Sequence, residues 1–125
     1  MKIASQPSVK QKSRVEQSYK NGTDHSDEEL VNQIVKRDPQ GLKLLFAKYW
    51  DELFEVTYRR VFSKNDANAI VVEVFEIIWK NCKGLGNYPA RTYLYLTLKR
   101  QIFLYYERHP LLLKKIIATT TIDAN

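Results

Sequence analysis

A single cysteine, Cys82, leaves no partner for an internal disulfide and no second thiolate for a cysteine-type zinc cluster. The compartment that fits is reducing and cytoplasmic. Four glycines and four prolines are all that punctuate 125 residues, too few for the dense turns of a β-sandwich or barrel. Helices joined by short loops are expected instead. No apolar run approaches the roughly 18 residues needed to span a bilayer, and the opening MKIASQPSVKQKSR lacks the apolar core of a secretory signal. Neither membrane insertion nor export is expected. Acid is also in short supply, with 14 Asp and Glu against 20 Lys and Arg and a net charge of +6. That excess suits a polyanionic partner, nucleic acid or membrane surface, and equally a soluble basic protein; the placement of the charges has to decide.

Catalytic signatures are missing as well. His25 stands in a polar stretch and His109 precedes a proline, with no H-x-x-x-H pair. Neither G-x-G-x-x-G nor G-x-x-x-x-G-K-[ST] occurs, and Gly84-Leu85-Gly86 is too short to cradle a phosphate. Asp27, Glu28 and Glu29 crowd a helix start, where the positive end of the dipole stabilises them. An enzyme is therefore not expected, and neither a metal nor a cofactor is called for.

What is present is helical periodicity. Residues 1–25 are polar and basic, with apolar residues too sparse to define a face, and read as a disordered basic tail. Ser26 and Glu29 have capping-box spacing, and Leu30, Val31, Ile34 and Val35 follow at helical intervals. Asp38 and Pro39 end that helix and start a longer one to about Val61. In it Leu42, Leu45, Phe46, Tyr49, Leu53, Val56 and Arg60 keep the 3.6-residue period. Trp50, Phe54, Tyr58 and Phe62 form a second stripe, which predicts a helix packed on two sides. A third helix is expected over 66–81 on Ala67, Ile70, Val71, Val74, Phe75, Ile78 and Trp79, despite the strand-like propensity of its β-branched residues. A basic loop over 80–89 precedes a fourth helix to about Arg108, with Leu94, Leu98, Ile102 and Tyr105 or Tyr106 inward. Its TYLYLTL stretch alternates like a strand. A short helix over 111–117 would follow, then a linker. The expected architecture is all-α, a compact bundle of about four helices over 26–109, with residues 110–125 a short helix or linker to an absent second domain.

The segment Asn81–Arg108 departs most from background. It interleaves Lys83, Arg91, Lys99, Arg100 and Arg108 with Tyr88, Tyr93, Tyr95, Phe103, Tyr105 and Tyr106, and holds no acid before Glu107. Cations follow a phosphate backbone while exposed aromatics stack on unpaired bases, so the pairing suits single-stranded or melting DNA better than a closed duplex. For any single tyrosine, core packing is the competing role.

From Asp27 to about Arg108 the chain resembles the second conserved region of bacterial RNA polymerase sigma factors of the extracytoplasmic-function type. Asp27-Glu-Glu-Leu-Val31 resembles that family's acidic-leucine helix, and Lys36-Arg-Asp38 its Gly-Asp turn. Leu45-Phe-Ala-Lys-Tyr-Trp50 through Tyr58-Arg-Arg60 resembles its long aromatic helix. The family's D-A-E-D-V-V-Q-E-V-F-x-x-x-W is matched by Asp66-Ala-Asn-Ala-Ile-Val-Val-Glu-Val-Phe-Glu-Ile-Ile-Trp79, and its F-R-A-W-L-Y-R-I-A-R-N by Ala90 through Arg100. The chain departs at Ala69 and Val72, where the family has Asp and Gln, and at Ala90, Tyr93 and Arg100, where it has Phe, Trp and Asn. The resemblance implies a transcription factor domain that binds the β′ clamp of core RNA polymerase and melts the promoter minus-ten element on its non-template strand, with an anti-sigma factor as a further partner. Polymerase contacts would come from Asp66, Val72, Glu73 and Glu76, and DNA contacts from Lys83, Tyr88, Arg91, Tyr93, Lys99 and Arg100. Two other readings fit the residues: a sigma-like protein-interaction module that does not bind DNA, and a general single-strand nucleic-acid binder.

Overall fold

The computed structural model describes residues 25–124, with side chains as far as residue 119. Residues 1–24, including most of the expected basic tail, lie outside the described residues. Among the described residues there is no strand; the chain is all-α, with five α-helices and one 3-10 segment. They are α1 (Asp27–Val35), α2 (Pro39–Val61), α3 (Lys64–Lys80), the 3-10 turn (Cys82–Asn87), α4 (Ala90–Arg108) and α5 (Pro110–Ala124). The expected four helices are joined by a longer fifth: the helix anticipated over 111–117 runs from Pro110 to Ala124.

The helix starts follow from capping residues. The Ser26 hydroxyl accepts from the Glu29 N–H at 3.2 Å and the Glu29 carboxylate accepts from the Ser26 N–H at 2.9 Å, completing the reciprocal cap. Asp38 caps α2 by accepting from the Gln40 N–H at 3.0 Å, with Pro39 as the first helical residue. Ser63 caps α3, which therefore begins two residues earlier than the expected Asp66. α4 starts at Ala90, with Pro89 just outside it. The alternation in TYLYLTL does not produce a strand, because Leu94 and Leu98 are one helical turn apart and both enter the core.

α1 ends in a Schellman motif. The Asp38 N–H donates to the Gln33 carbonyl at 2.8 Å, and the Arg37 N–H to the Ile34 carbonyl at 2.9 Å. The residue that must go left-handed in this motif is Arg37, at φ 66°. Glycine usually fills that position because a Cβ is penalised there. The Arg37 guanidinium gives something in return. It donates to the carbonyl of Trp79 in the last turn of α3 at 2.5 Å, and its Cζ lies 3.8 Å above the Trp79 ring. The charge thus caps the negative end of α3 and stacks on an aromatic face in one contact.

α2 is the central element, about 35 Å long at 1.5 Å per residue, and packs against α1, α3 and α4. Its buried residues are Gly41, Leu45, Tyr49, Leu53, Thr57 and Val61, a strict four-residue repeat. This corrects the expected stripe: Thr57 and Val61 point inward, and Arg60 is exposed. Thr57 tolerates full burial because its hydroxyl donates to the Leu53 carbonyl at 2.7 Å. At Gly41 the backbones of α1 and α2 lie close together. A Cβ there would lie 2.6 Å from Gln33 Cβ and 2.8 Å from the Leu30 carbonyl oxygen.

The second stripe of α2 is a stacked ladder at the edge of the core. Phe46, Trp50 and Phe54 are half-buried and Tyr58 is exposed, with successive ring centroids 4.9, 5.8 and 6.1 Å apart. Phe46 also meets Phe75 of α3 at 4.9 Å. Trp50 is partly buried against the core, and Leu53, Val74 and Leu98 are buried in it. The row continues to Phe62, 63% exposed and left-handed at φ 59°, where α2 stops. The helix is buried on its Leu45–Leu53 side and partly packed along the aromatic one, which opens to solvent at Tyr58 and Phe62.

Candidate nucleic-acid interface

α4 is a helix with apolar residues on two faces. Ala90, Leu94, Leu98, Ile102 and Tyr105 are buried, and Gln101 joins them. Polar tethers supplement this packing. The Tyr105 hydroxyl donates to the Asp66 carboxylate of α3 at 2.6 Å, the Tyr95 hydroxyl to Glu52 of α2 at 2.6 Å, and the Tyr106 hydroxyl to the Arg60 carbonyl at 2.8 Å. Three phenols thus lock α4 against its neighbours. Burial, then the bond to Glu52, pushes the Tyr95 phenol up to about 12, with the Glu52 charge adding and Arg91 opposing. Burial, then the bond to Asp66, takes Tyr105 to about 12 as well.

These shifts fix a pH dependence. An unfolded tyrosine ionises near 10. Between about pH 10 and pH 12 the folded chain therefore holds protons that the unfolded chain has released, and stability falls as pH rises through that window. Below the window the contribution is fully present. Thermal melts should show a midpoint that drops from about pH 10 upward, and Tyr105→Phe should make the drop shallower. An equal drop in the variant would show that the tether does not carry the effect.

The tethers separate the sequence candidates into two groups. Arg91 is ion-paired with Glu52 and its Cζ lies 5.1 Å from the Tyr95 ring, so its charge is largely engaged within the fold. Asp66 holds Tyr105 and sits in the first turn of α3, which makes it a packing residue as much as a surface one. Val72, Glu73 and Glu76 are exposed on α3, with Val72 at 36%, as the helical register requires. Ala69 is exposed on the same helix. Ala90 is buried at the start of α4.

Lys83, Lys99 and Arg100 are all exposed. Between Lys83 and α4 the 3-10 turn is pinned from two sides. Leu85 is buried in the core, and Gly84 lies against Tyr93, where an added Cβ would stand 2.5 Å from the phenol oxygen. Tyr93 donates to the Asn81 carbonyl at 3.4 Å, and its ring lies nearly parallel to Tyr88, centroids 6.2 Å apart. The two tyrosines therefore differ: Tyr93 is a half-buried support, and Tyr88, 49% exposed, presents its ring outward.

The outer face of α4 holds residues that the sequence reading did not single out as a site. Leu96 is 48% exposed and Phe103 59% exposed, and Lys99 and Arg100 lie between them on the same side of the helix. Exposed apolar residues at positions i and i+7 with cations at i+3 and i+4 form a continuous apolar and cationic strip. The signal was present in TYLYLTLKRQIF, whose apolar residues are too many for one helical face. Among the described residues no cluster of His, Cys, Asp or Glu is arranged to hold a metal ion, and no helix is long and apolar enough to cross a membrane. No protein-family model, curated protein or solved structure matches the chain.

Proposed function

We propose that this chain is a sigma-like transcription initiation domain, docking on core RNA polymerase through α3 and holding single-stranded promoter DNA on α4 and the 3-10 turn. The observation that carries the reading is the strip Leu96, Lys99, Arg100 and Phe103, exposed beside a segment with no acid between Asn81 and Tyr106. Lys83, Lys99 and Arg100 would position phosphates, and Tyr88 and Phe103 would stack on unpaired bases. No covalent chemistry is involved; opening is favoured because the unpaired strand is bound and the duplex is not. On α3, Glu73 and Glu76 with the exposed Val72 would face the polymerase clamp. Arg91 contributes mainly by keeping α4 seated on α2.

The test is capture of core RNA polymerase by the full chain, followed by binding of a single-stranded promoter oligonucleotide to the complex. Lys99→Ala with Arg100→Ala should flatten the salt dependence of strand binding by roughly one to one and a half units, at about 0.7 per phosphate contact. Tyr88→Ala should weaken binding by about 1–3 kcal/mol with the salt slope unchanged. If neither change affects strand binding or open-complex formation, the DNA role is lost. The interaction-module reading would then stand, supported by the exposed Tyr58 and Phe62 at the end of the aromatic ladder of α2.

A further inference from the structure

We propose that the trough between α2 and α4 extends the strand-binding surface, with Arg60 as a phosphate-contacting residue. The inference rests on the single-strand reading above and adds to it a path and a residue. The trough encloses about 740 Å³ and includes Val56, Arg60, Arg91, Tyr95, Leu96 and Lys99 in its wall. No carboxylate is among its lining residues, and that of Glu52 beside it is held by Arg91 and Tyr95. Along α4 it extends from Arg91 to Ile102, about 16 Å at 1.5 Å per residue.

Two features commit the trough to an anionic strand. Leu96 and Lys99 belong both to it and to the outer strip of α4, so a strand on the strip enters the trough without leaving the surface. The charge in it is also uneven. Arg91 is paired with Glu52, whereas neither Arg60 nor Lys99 is ion-paired among the described residues. Two uncompensated cations on Val56, Leu96 and Ile102 give phosphates an electrostatic partner and bases an apolar floor. The launch point of Arg60 is fixed, because its own carbonyl accepts the Tyr106 hydroxyl at 2.8 Å. That bond uses the main chain and survives replacement of the side chain.

The experiment compares Arg60→Gln, Arg100→Gln and Arg59→Gln in the full chain, using fluorescence anisotropy of a labelled single-stranded oligodeoxynucleotide and of its duplex across a salt series. Arg59 is the control, exposed one residue away and paired with Glu55. Arg60→Gln should weaken single-strand binding about fivefold at low salt and lower the salt slope by about 0.7, with the thermal midpoint unchanged. Arg59→Gln should do neither. If Arg60→Gln behaves like Arg59→Gln while Arg100→Gln weakens binding, the trough is not on the path and the inference fails, but the reading of α4 survives. Equal losses for duplex and single strand would show general polyanion binding, which overturns the path. An absence of any strand binding at low salt, both by the chain alone and by its complex with core RNA polymerase, removes the reading and the inference together.

Discussion

Gly41→Ala is expected to lower the thermal midpoint by about 8–16 °C, a loss of about 2 kcal/mol for a domain of this size. Two effects of opposite sign compete at this position. Alanine is the better helix former by about 1 kcal/mol, and on an open surface the substitution would stabilise α2. Here the new methyl would stand 2.8 Å from the Leu30 carbonyl oxygen, 3.1 Å from the Ile34 nitrogen and 2.6 Å from Gln33 Cβ. Two of these are backbone atoms of α1 and cannot rotate away. Relief requires α1 to move off α2, reducing the burial of Leu30 and Ile34, both fully buried. Overpacking of this kind reaches about 3 kcal/mol, at the upper end of its usual range, and outweighs the propensity gain. Gly86→Ala is the comparison, since a Cβ there meets nothing within 4 Å. A midpoint for Gly41→Ala equal to or above that of the parent would show that the two helices can separate freely.

Arg37→Ala is the second large loss, about 2 kcal/mol, and its companion Arg37→Gly separates the causes. The alanine variant removes the charged donor to the Trp79 carbonyl and the cation over the ring, together about 2 kcal/mol at an exposed site. It keeps the left-handed backbone at φ 66° and its penalty. Glycine loses the same contacts and is relieved of a conformational cost of about 1 kcal/mol. Chemical denaturation should therefore order the stabilities as arginine, then glycine, then alanine. Glycine more stable than arginine would mean that the guanidinium contacts do not offset the strain.

Local signals in the sequence were read correctly where the physics is local. The capping box of Ser26 and Glu29, the Asp38-Pro39 junction and the spacing of Ala67, Ile70, Val71, Val74, Phe75 and Ile78 each depend on residues within two turns. The inward face of α2 was harder, because two members of its four-residue repeat are Gly41 and Thr57, small residues that hydrophobic periodicity passes over. Arg60 was drawn inward by the same error. In the candidate site, the exposure of Lys83, Lys99 and Arg100 followed from composition. The capture of Arg91 by Glu52 and of Tyr105 by Asp66 did not, since each joins α4 to a residue of another helix. The difference between Tyr88 and Tyr93 depends on which ring Gly84 lies beneath, and spacing carries no such information.

The two tryptophans sit in different surroundings, and this makes the chain its own spectroscopic gauge. Trp50 is stacked between Phe46 and Phe54 along the partly buried aromatic ladder of α2, whereas Trp79 lies under a guanidinium at the end of α3. Emission from Trp50 will respond to whatever covers the aromatic ladder, and emission from Trp79 to the seating of the α1–α2 turn on α3. With Trp79→Phe a partner docking on α2 becomes visible without a label, and with Trp50→Phe loosening of the Arg37 contact can be followed alone.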